Sequence, residues 1–315
     1  MTVKQAKDGG ARVAIVTGAG VGLGRAYARQ LARGGMRVVV NNRRREVDAG
    51  GRGSADHVVE EIRAAGGEAV ADYEDVCADG AGERLVRRAF DAWGRLDALV
   101  NNAGVDQHAP FHRIDLAAFR AIFDVNFFGT LQVTHAAWGP MRAAGHGRIL
   151  VSTSSAGLHG LHGLSAYSAS KAALIGLARA LAAEGASRDV FCNAIAPYAA
   201  TRMTEAHVEP GEREAMAAEH VAPLVAQLVA AGSRVNGQVI VAGLGWARRA
   251  ATVELEPALP VALYAAQNEL APSGATRLRV PGVCTEFDDA LQAFADFRDA
   301  ARRGLRPEPS RDSLT

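Results

Sequence analysis

Tyr167 and Lys171 stand four residues apart in Ser165-Ala166-Tyr167-Ser168-Ala169-Ser170-Lys171, and Ser154 lies thirteen residues ahead of the tyrosine. On a helix, positions four apart share a face. A phenol in water ionises near pH ~10. A cation one helical turn away favours the phenolate, so the spacing predicts a lowered tyrosine pKa. Such a phenol can exchange a proton with an alcohol or carbonyl oxygen near neutrality. Composition singles out the same lysine. Of 35 Lys plus Arg, only Lys4, Lys7 and Lys171 are lysines, and the first two lie in a polar N-terminal stretch. An arginine's fixed fork and its pKa above ~12 suit proton exchange poorly, whereas a flexible ammonium can take part in it.

Positioning these groups calls for alternating strands and helices. Arg12-Val13-Ala14-Ile15-Val16-Thr17 is a short apolar run of the buried parallel-strand type. It enters Gly18-Ala19-Gly20-Val21-Gly22-Leu23-Gly24 and then a helical pattern to Arg33. Glycines in that context let backbone N–H groups approach a pyrophosphate at a helix N-terminus. A second strand, Met36 to Val40, ends at Asn41-Asn42-Arg43-Arg44-Arg45. An acid at this strand end would bind the adenosine ribose hydroxyls and select NAD. Asn42 followed by arginines, Arg43 first, points instead to a 2′-phosphate and so to NADP(H) over NAD(H). Ser54 is the expected N-cap of the next helix.

Further strands are predicted at Glu68 to Ala71, Leu96 to Val100, Arg148 to Ser152, Val190 to Ile195 and Gln238 to Val241. Asp115 to Met141 carries one long helical period, with Asn126 inside it as a satisfied polar core residue or a water-holding relay. The pattern is that of an α/β fold, a doubly wound parallel seven-stranded sheet of the Rossmann type. Residues 11–250 form the expected catalytic domain, after a flexible tail over 1–10. Alternation stops near Ala251, so residues 251–315 read as a C-terminal extension packed on the core or a partner subunit. Its last helix is expected over Glu286 to Arg303. Arg202 to His220, with Pro210-Gly211, reads as a lid over the substrate.

The near balance of 35 basic and 34 acidic residues argues against a nucleic-acid or membrane footprint. Cys77, Cys192 and Cys284 show neither a disulfide framework nor zinc spacing, and His159-x-x-His162 lacks further ligands at metal spacing. No apolar leader or membrane span is present in the sequence, and a cytoplasmic location is expected.

Taken together, Thr17-Gly18-x-x-x-Gly22-x-Gly24, Asn101-Asn102-Ala103-Gly104, Asn126, Ser154 and Tyr167-x-x-x-Lys171 resemble the short-chain dehydrogenase/reductase family. The resemblance runs from residue 12 to about 245. Within it, Gly22-Leu23-Gly24-Arg25-Ala26-Tyr27-Ala28, Ala136-Ala137-Trp138 and Val221-Ala222-Pro223-Leu224-Val225 look like the 3-hydroxyacyl-CoA dehydrogenase module of the type 2 peroxisomal multifunctional enzymes. The resemblance implies Tyr167 as general acid/base, Ser154 as the group that positions the substrate oxygen, and Lys171 on the nicotinamide ribose. It implies that Asn126 keeps a water in reach of the lysine. Asp75 and Val76 would meet adenine, and Asn102, Ala103 and Gly104 the adenosine side. Ile195, Pro197 and Thr201 would meet the nicotinamide end.

The expected chemistry is NAD(P)-dependent interconversion of a secondary alcohol and a ketone on a small-molecule substrate, by a homodimer or homotetramer. A 3-hydroxyacyl-CoA dehydrogenase, a non-redox lyase or isomerase, and a cofactor-binding regulator are the alternatives. Tyr198 replaces the family's glycine after Pro197 and is expected to protrude into the cleft. His159 and His162 are candidates for holding an anionic or polyhydroxylated substrate.

Overall fold

The computed structural model describes residues 10–43, 47–201, 204 and 208–251. Seven parallel strands run β1 (Val13–Val16), β2 (Arg37–Asn41), β3 (Ala69–Asp72), β4 (Ala98–Asn101), β5 (Gly147–Ser152), β6 (Val190–Pro197) and β7 (Val239–Gly243). Their order is β3-β2-β1-β4-β5-β6-β7, with an eighth strand outside β7. The order reverses between β1 and β4, the crevice in which open α/β sheets bind ligands. Most of these strands are apolar runs buried end to end, as sheets covered on both faces require. One face packs on helices α1 (Gly22–Arg33), α2 (Ser54–Ala64) and α8 (Ala222–Leu228). The other packs on α3 (Ala81–Trp93), α5 (Thr130–Ala144) and α7 (Ser165–Gly185).

Three features depart from expectation. The eighth strand, β8 (Trp246–Ala250), is antiparallel to β7 and mostly exposed. Its sequence, Trp-Ala-Arg-Arg-Ala, has neither the apolar run nor the alternation that announces a strand. The long helical period is not one helix. Helix α4 (Leu116–Phe123) passes into a π-helical turn over Asp124–Gly129 before α5 begins. Finally, Gly53 caps α2 and Ser54 is its first residue. The Asp56 carboxylate accepts the Gly53 N–H at 2.7 Å, which leaves the Ser54 hydroxyl for other work. The expected helix over Glu286 to Arg303 and the rest of the 251–315 extension beyond residue 251 lie outside the described residues, as does the tail before Gly10.

The N-terminal edge of the sheet is closed by charge. Arg148 at the start of β5 is 1 % exposed. Its guanidinium donates to the Asp189 carboxylate at 3.1 and 3.2 Å and to the Gly147, Asp189, Ala231 and Ser233 carbonyls. It also stacks over the Phe191 ring at 4.3 Å. His146 joins Asp189 at 2.9 Å, and Arg95 pairs with Asp97, which also accepts the Val13 N–H.

Candidate active site

Every group singled out from the sequence leaves the sheet at the C-terminal ends of its strands, or follows a helix that starts there. After β1, the Thr17 hydroxyl accepts the N–H groups of Asn102 and Ala103 at 3.0 and 3.1 Å. The Asn102 amide donates back to the Thr17 and Gly18 carbonyls, both at 3.2 Å. Asn102, assigned to the adenosine side, therefore spends its side chain on tying the β4 end to the glycine turn. Glycine is required where the two meet. A Cβ on Gly24 would fall 2.2 Å from the Gly18 carbonyl oxygen, and Gly18 itself has φ +62°.

The start of α1 is open to an anion. Its N-cap Val21 offers no side-chain acceptor and its first turn holds no acid, so the leading N–H groups and the dipole face outward uncompensated. Gly22 sits at φ +53°, and Thr201, after β6, lies against it, 3.6 Å from the place a Cβ would take. Gly20 was not singled out by sequence reading. A Cβ there would meet the Ser54 hydroxyl at 2.3 Å and the Asn42 amide at 2.7 Å. Asn42 donates to Ser54 Oγ at 2.7 Å, which fixes the β2 end in a neutral state. Arg43 pairs with Asp75 at 2.9 Å, so the residues assigned to a 2′-phosphate and to adenine face each other. Val76 is buried beside Gly129, and its carbonyl accepts from Gln132.

The catalytic candidates converge after β5. Ser154 is extended and caps the short helix α6 (Ser155–His159), its Oγ accepting the Ala156 N–H. It also hydrogen bonds to the Tyr167 phenol. Thr153 donates to the Lys171 carbonyl at 2.7 Å, and a Cβ on Gly157 would strike the Lys171 carbonyl carbon at 2.8 Å. These two contacts seat α6 on α7. Lys171 Nζ donates to the Ser152 carbonyl at 2.7 Å and lies 5.6 Å from the Tyr167 ring centroid.

Asn126, in the π-helical turn, is wholly buried. Its amide takes the Val105 N–H at 2.8 Å, donates to the Val105 carbonyl at 2.9 Å and donates to Ser170 Oγ at 3.0 Å. It is a satisfied polar residue that pins the strand-end loop to α7. Gly104 sits between it and the lysine: a Cβ there would lie 3.1 Å from Asn126 Oδ1 and 3.2 Å from Lys171 Nζ. Asn126, Ser154, Tyr167 and Lys171 are thus brought to one place, and Gly18, Gly20, Gly24 and Gly104 let the strand ends around them approach closely.

The electrostatics correct one expectation. Burial pushes the Tyr167 phenol up to about 12; the Ser154 hydrogen bond lowers it and Asp106 adds a smaller upward push. The lysine does not bring it down in this state. Burial lowers Lys171 to about 8, with Asp106 opposing. Asp106 is a participant that spacing did not flag; it sits on the loop that Asn126 holds through Val105. Among the remaining candidates, Pro197 closes β6 and Tyr198 donates its N–H to the Ala242 carbonyl at 2.7 Å. His159 is half-buried, whereas His162 is exposed. Of the expected lid, Arg202, Met203 and residues 205–207 lie outside the described residues. The remainder holds 3-10 turns at Pro210–Glu212 and Ala218–His220. Among the described residues no helix is long and apolar enough to cross a membrane. Nor does any group of three or more His, Cys, Asp or Glu there suit a metal ion.

This sheet and this constellation are those of a dinucleotide-dependent oxidoreductase, and the chain belongs to the short chain dehydrogenase family, whose model matches residues 12–212. It is 45 % identical over 237 residues to peroxisomal multifunctional enzyme type 2 of Mus musculus, covering 75 % of this chain and 32 % of that protein. The chain thus spans about a third of the mouse protein's length. A short-chain type dehydrogenase/reductase of Mycobacterium tuberculosis is 42 % identical over 242 residues, 76 % of this chain and 85 % of that one. Among solved structures, a short chain dehydrogenase from Mycobacterium avium superposes with a TM-score of 0.71 at 37 % identity, covering 80 % and 88 % of the two chains. A structure from Beutenbergia cavernae, described as an NAD(P) dependent gluconate 5-dehydrogenase with bound NADP at low occupancy, has a TM-score of 0.67 at 34 % identity, covering 76 % and 98 %.

Proposed function

We propose that the protein interconverts a secondary alcohol and a ketone with Tyr167 as general acid/base, and that it uses NADP(H) in preference to NAD(H). The meeting of Ser154, Tyr167, Lys171 and Asn126 beside an uncapped, glycine-lined helix start carries this reading. The bound nicotinamide would supply or accept the hydride. Gly18, Gly22, Leu23 and Gly24 would hold its pyrophosphate, and Pro197 and Thr201 would line the nicotinamide end; Gly104, expected on the adenosine side, lies beside Lys171 and would meet the adjoining ribose. During reduction Ser154 and Tyr167 hydrogen bond to the carbonyl oxygen, and Tyr167 gives its proton to the oxygen as negative charge develops there. A phenol near 12 is fully protonated at neutral pH, which suits the donor's part. Lys171, lowered to about 8, can lose and regain a proton close to neutrality and so restore the phenol.

NADP(H) preference is supported by the amide at the β2 end, where a carboxylate would repel a 2′-phosphate, and by Arg43 next to it. A homodimer or homotetramer fits the exposed Leu116 and Phe128 along α4 and the π-helical turn. A second reading, a 3-hydroxyacyl-CoA dehydrogenase, is supported by the identity with the mouse enzyme. The deciding experiment follows deuterium from the nicotinamide C4 position into product with NADPH and NADH, on simple ketones and on a 3-oxoacyl thioester. Label transfer is expected, and Tyr167→Phe should reduce turnover at least ~10³-fold while leaving nucleotide affinity within about threefold. Turnover without label transfer, or a Phe variant as active as the parent, rejects the reading.

A further inference from the structure

Ser170 stands between the two proton-handling residues of α7, three positions after Tyr167 and one before Lys171. It is wholly buried. Inside a helix alanine is the better helix former and needs no polar partner there. The nearby positions Ala166, Ala169, Ala172 and Ala173 are alanines, so helix formation and packing do not account for a hydroxyl at this one. The hydroxyl is used both ways. Its Oγ donates to the Tyr167 carbonyl at 2.8 Å, a back-bond within the helix, and accepts from the Asn126 amide at 3.0 Å. The asparagine is constrained in turn. Its oxygen takes the Val105 N–H at 2.8 Å, and its nitrogen gives one hydrogen to the Val105 carbonyl at 2.9 Å. That exchange fixes which end of the amide is nitrogen and leaves a second hydrogen, which Ser170 meets. The amide oxygen then lies over Gly104, 3.1 Å from where a Cβ would stand, and Lys171 Nζ lies 3.2 Å from the same point. The hydrogen bond from Ser170 therefore ties the helix carrying the lysine to the turn carrying the asparagine at the level of the ammonium.

We propose that Ser170 is a positioning residue for the proton transfer: acting through Asn126, it holds the Lys171 ammonium in its place beside Gly104 and the Ser152 carbonyl. This rests on the alcohol–ketone reading above. Without the hydroxyl, one Asn126 hydrogen is buried with no acceptor, which costs more than the bond itself was worth. The π-helical turn then shifts against α7 to relieve it, and the lysine loses its fixed distance from the strand-end loop. The effect falls on the proton-transfer step and not on binding, because Ser170 contacts the site only through residues already in it.

The test measures kcat, KM and nucleotide affinity for wild type, Ser170→Ala, Asn126→Ala and the double variant, on a ketone that takes up the nicotinamide deuterium. Ser168→Ala is the control, since its hydroxyl is also buried on α7 but meets no partner among the described residues. Ser170→Ala should lower kcat about 3–10-fold, the worth of one buried hydrogen bond, with both KM values nearly unchanged. Asn126→Ala should lower kcat further, and the double variant should match it within about twofold, because the serine has nothing left to act through. Ser168→Ala should keep the parent kcat. A Ser170→Ala enzyme as fast as wild type, a loss that multiplies with that of Asn126→Ala, or an equal loss in Ser168→Ala overturns the assignment while leaving ketone reduction standing. A wild type that moves no deuterium to any ketone would instead remove the reading beneath it.

Discussion

At the N-terminal edge of the sheet the buried Arg148 has a carboxylate and four carbonyls around it. At the C-terminal edge the equally buried Lys171 faces the Ser152 carbonyl, with its carboxylate neighbour Asp106 on an exposed loop. Both cations stand at the ends of β5 or beside it, and both are 4 % exposed or less. The first is neutralised in place and can only hold strands together. The second keeps a lowered pKa of about 8, because desolvation exceeds what its neighbours return. Structural and chemical charges in one sheet differ in how completely they are partnered.

The comparison breaks most visibly at Asp189. Asp189→Asn removes the carboxylate paired with the buried Arg148; because Asp189 is itself about a third exposed, it should cost about 2 kcal/mol in urea unfolding. The folded fraction should keep its turnover within about twofold. Lys171→Met should do the reverse, reducing turnover about 100-fold with little loss of stability at neutral pH. Its pH dependence sharpens the contrast. Below about 8 Lys171 is charged in both states, and the native one bears the desolvation cost. Between about 8 and 10.5 the unfolded chain holds more protons at Lys171, a contribution that rises with pH by on the order of 1–3 kcal/mol. Burial pushes the Cys77 thiol up to about 11 and the Cys192 thiol up to about 12, and these oppose it over the same range. The stability of wild type relative to Lys171→Met should therefore rise between pH 7.5 and pH 10, measured by denaturation of both at each pH.

Gly24→Ala should cost about 2 kcal/mol, because the new methyl meets a carbonyl oxygen rather than a movable side chain. Nucleotide titration should then show weaker binding. Asn42→Asp should have the smallest effect, moving the ratio of kcat/KM for NADH over NADPH about tenfold upward. Ser54 can still donate to the new carboxylate, so stability should hold.

The parallel sheet was legible because its strands are uninterrupted apolar runs and its turns are glycines in fixed context. The shared face of Tyr167 and Lys171 was legible from their four-residue spacing on one helix, whereas Ser154 joined them through the family resemblance. What spacing does not carry is the medium around a group. The phenol was expected below its usual value, yet burial outweighs the cation one turn away. Nor does spacing show that the Asn102 and Asn42 amides also donate within the protein, to the glycine turn and to Ser54. The residues of β8 carry no strand pattern of their own; the strand is the return arm of a tight hairpin through Leu244 and Gly245, both at positive φ. The π-helical turn has no compositional signal and is held by Asn126 to Val105, twenty-one residues away.

The wide turn at Asp124–Gly129 has a consequence for how the chain can change. Relative to an α-helix it accommodates about one extra residue, and each residue advances the helix by about 100°. Deleting a codon there would regularise the local hydrogen bonds. It would also swing Val133, Ala137 and Met141, all fully buried, off the sheet they cover. Insertions and deletions are thereby barred from this stretch, and only substitutions remain open to it.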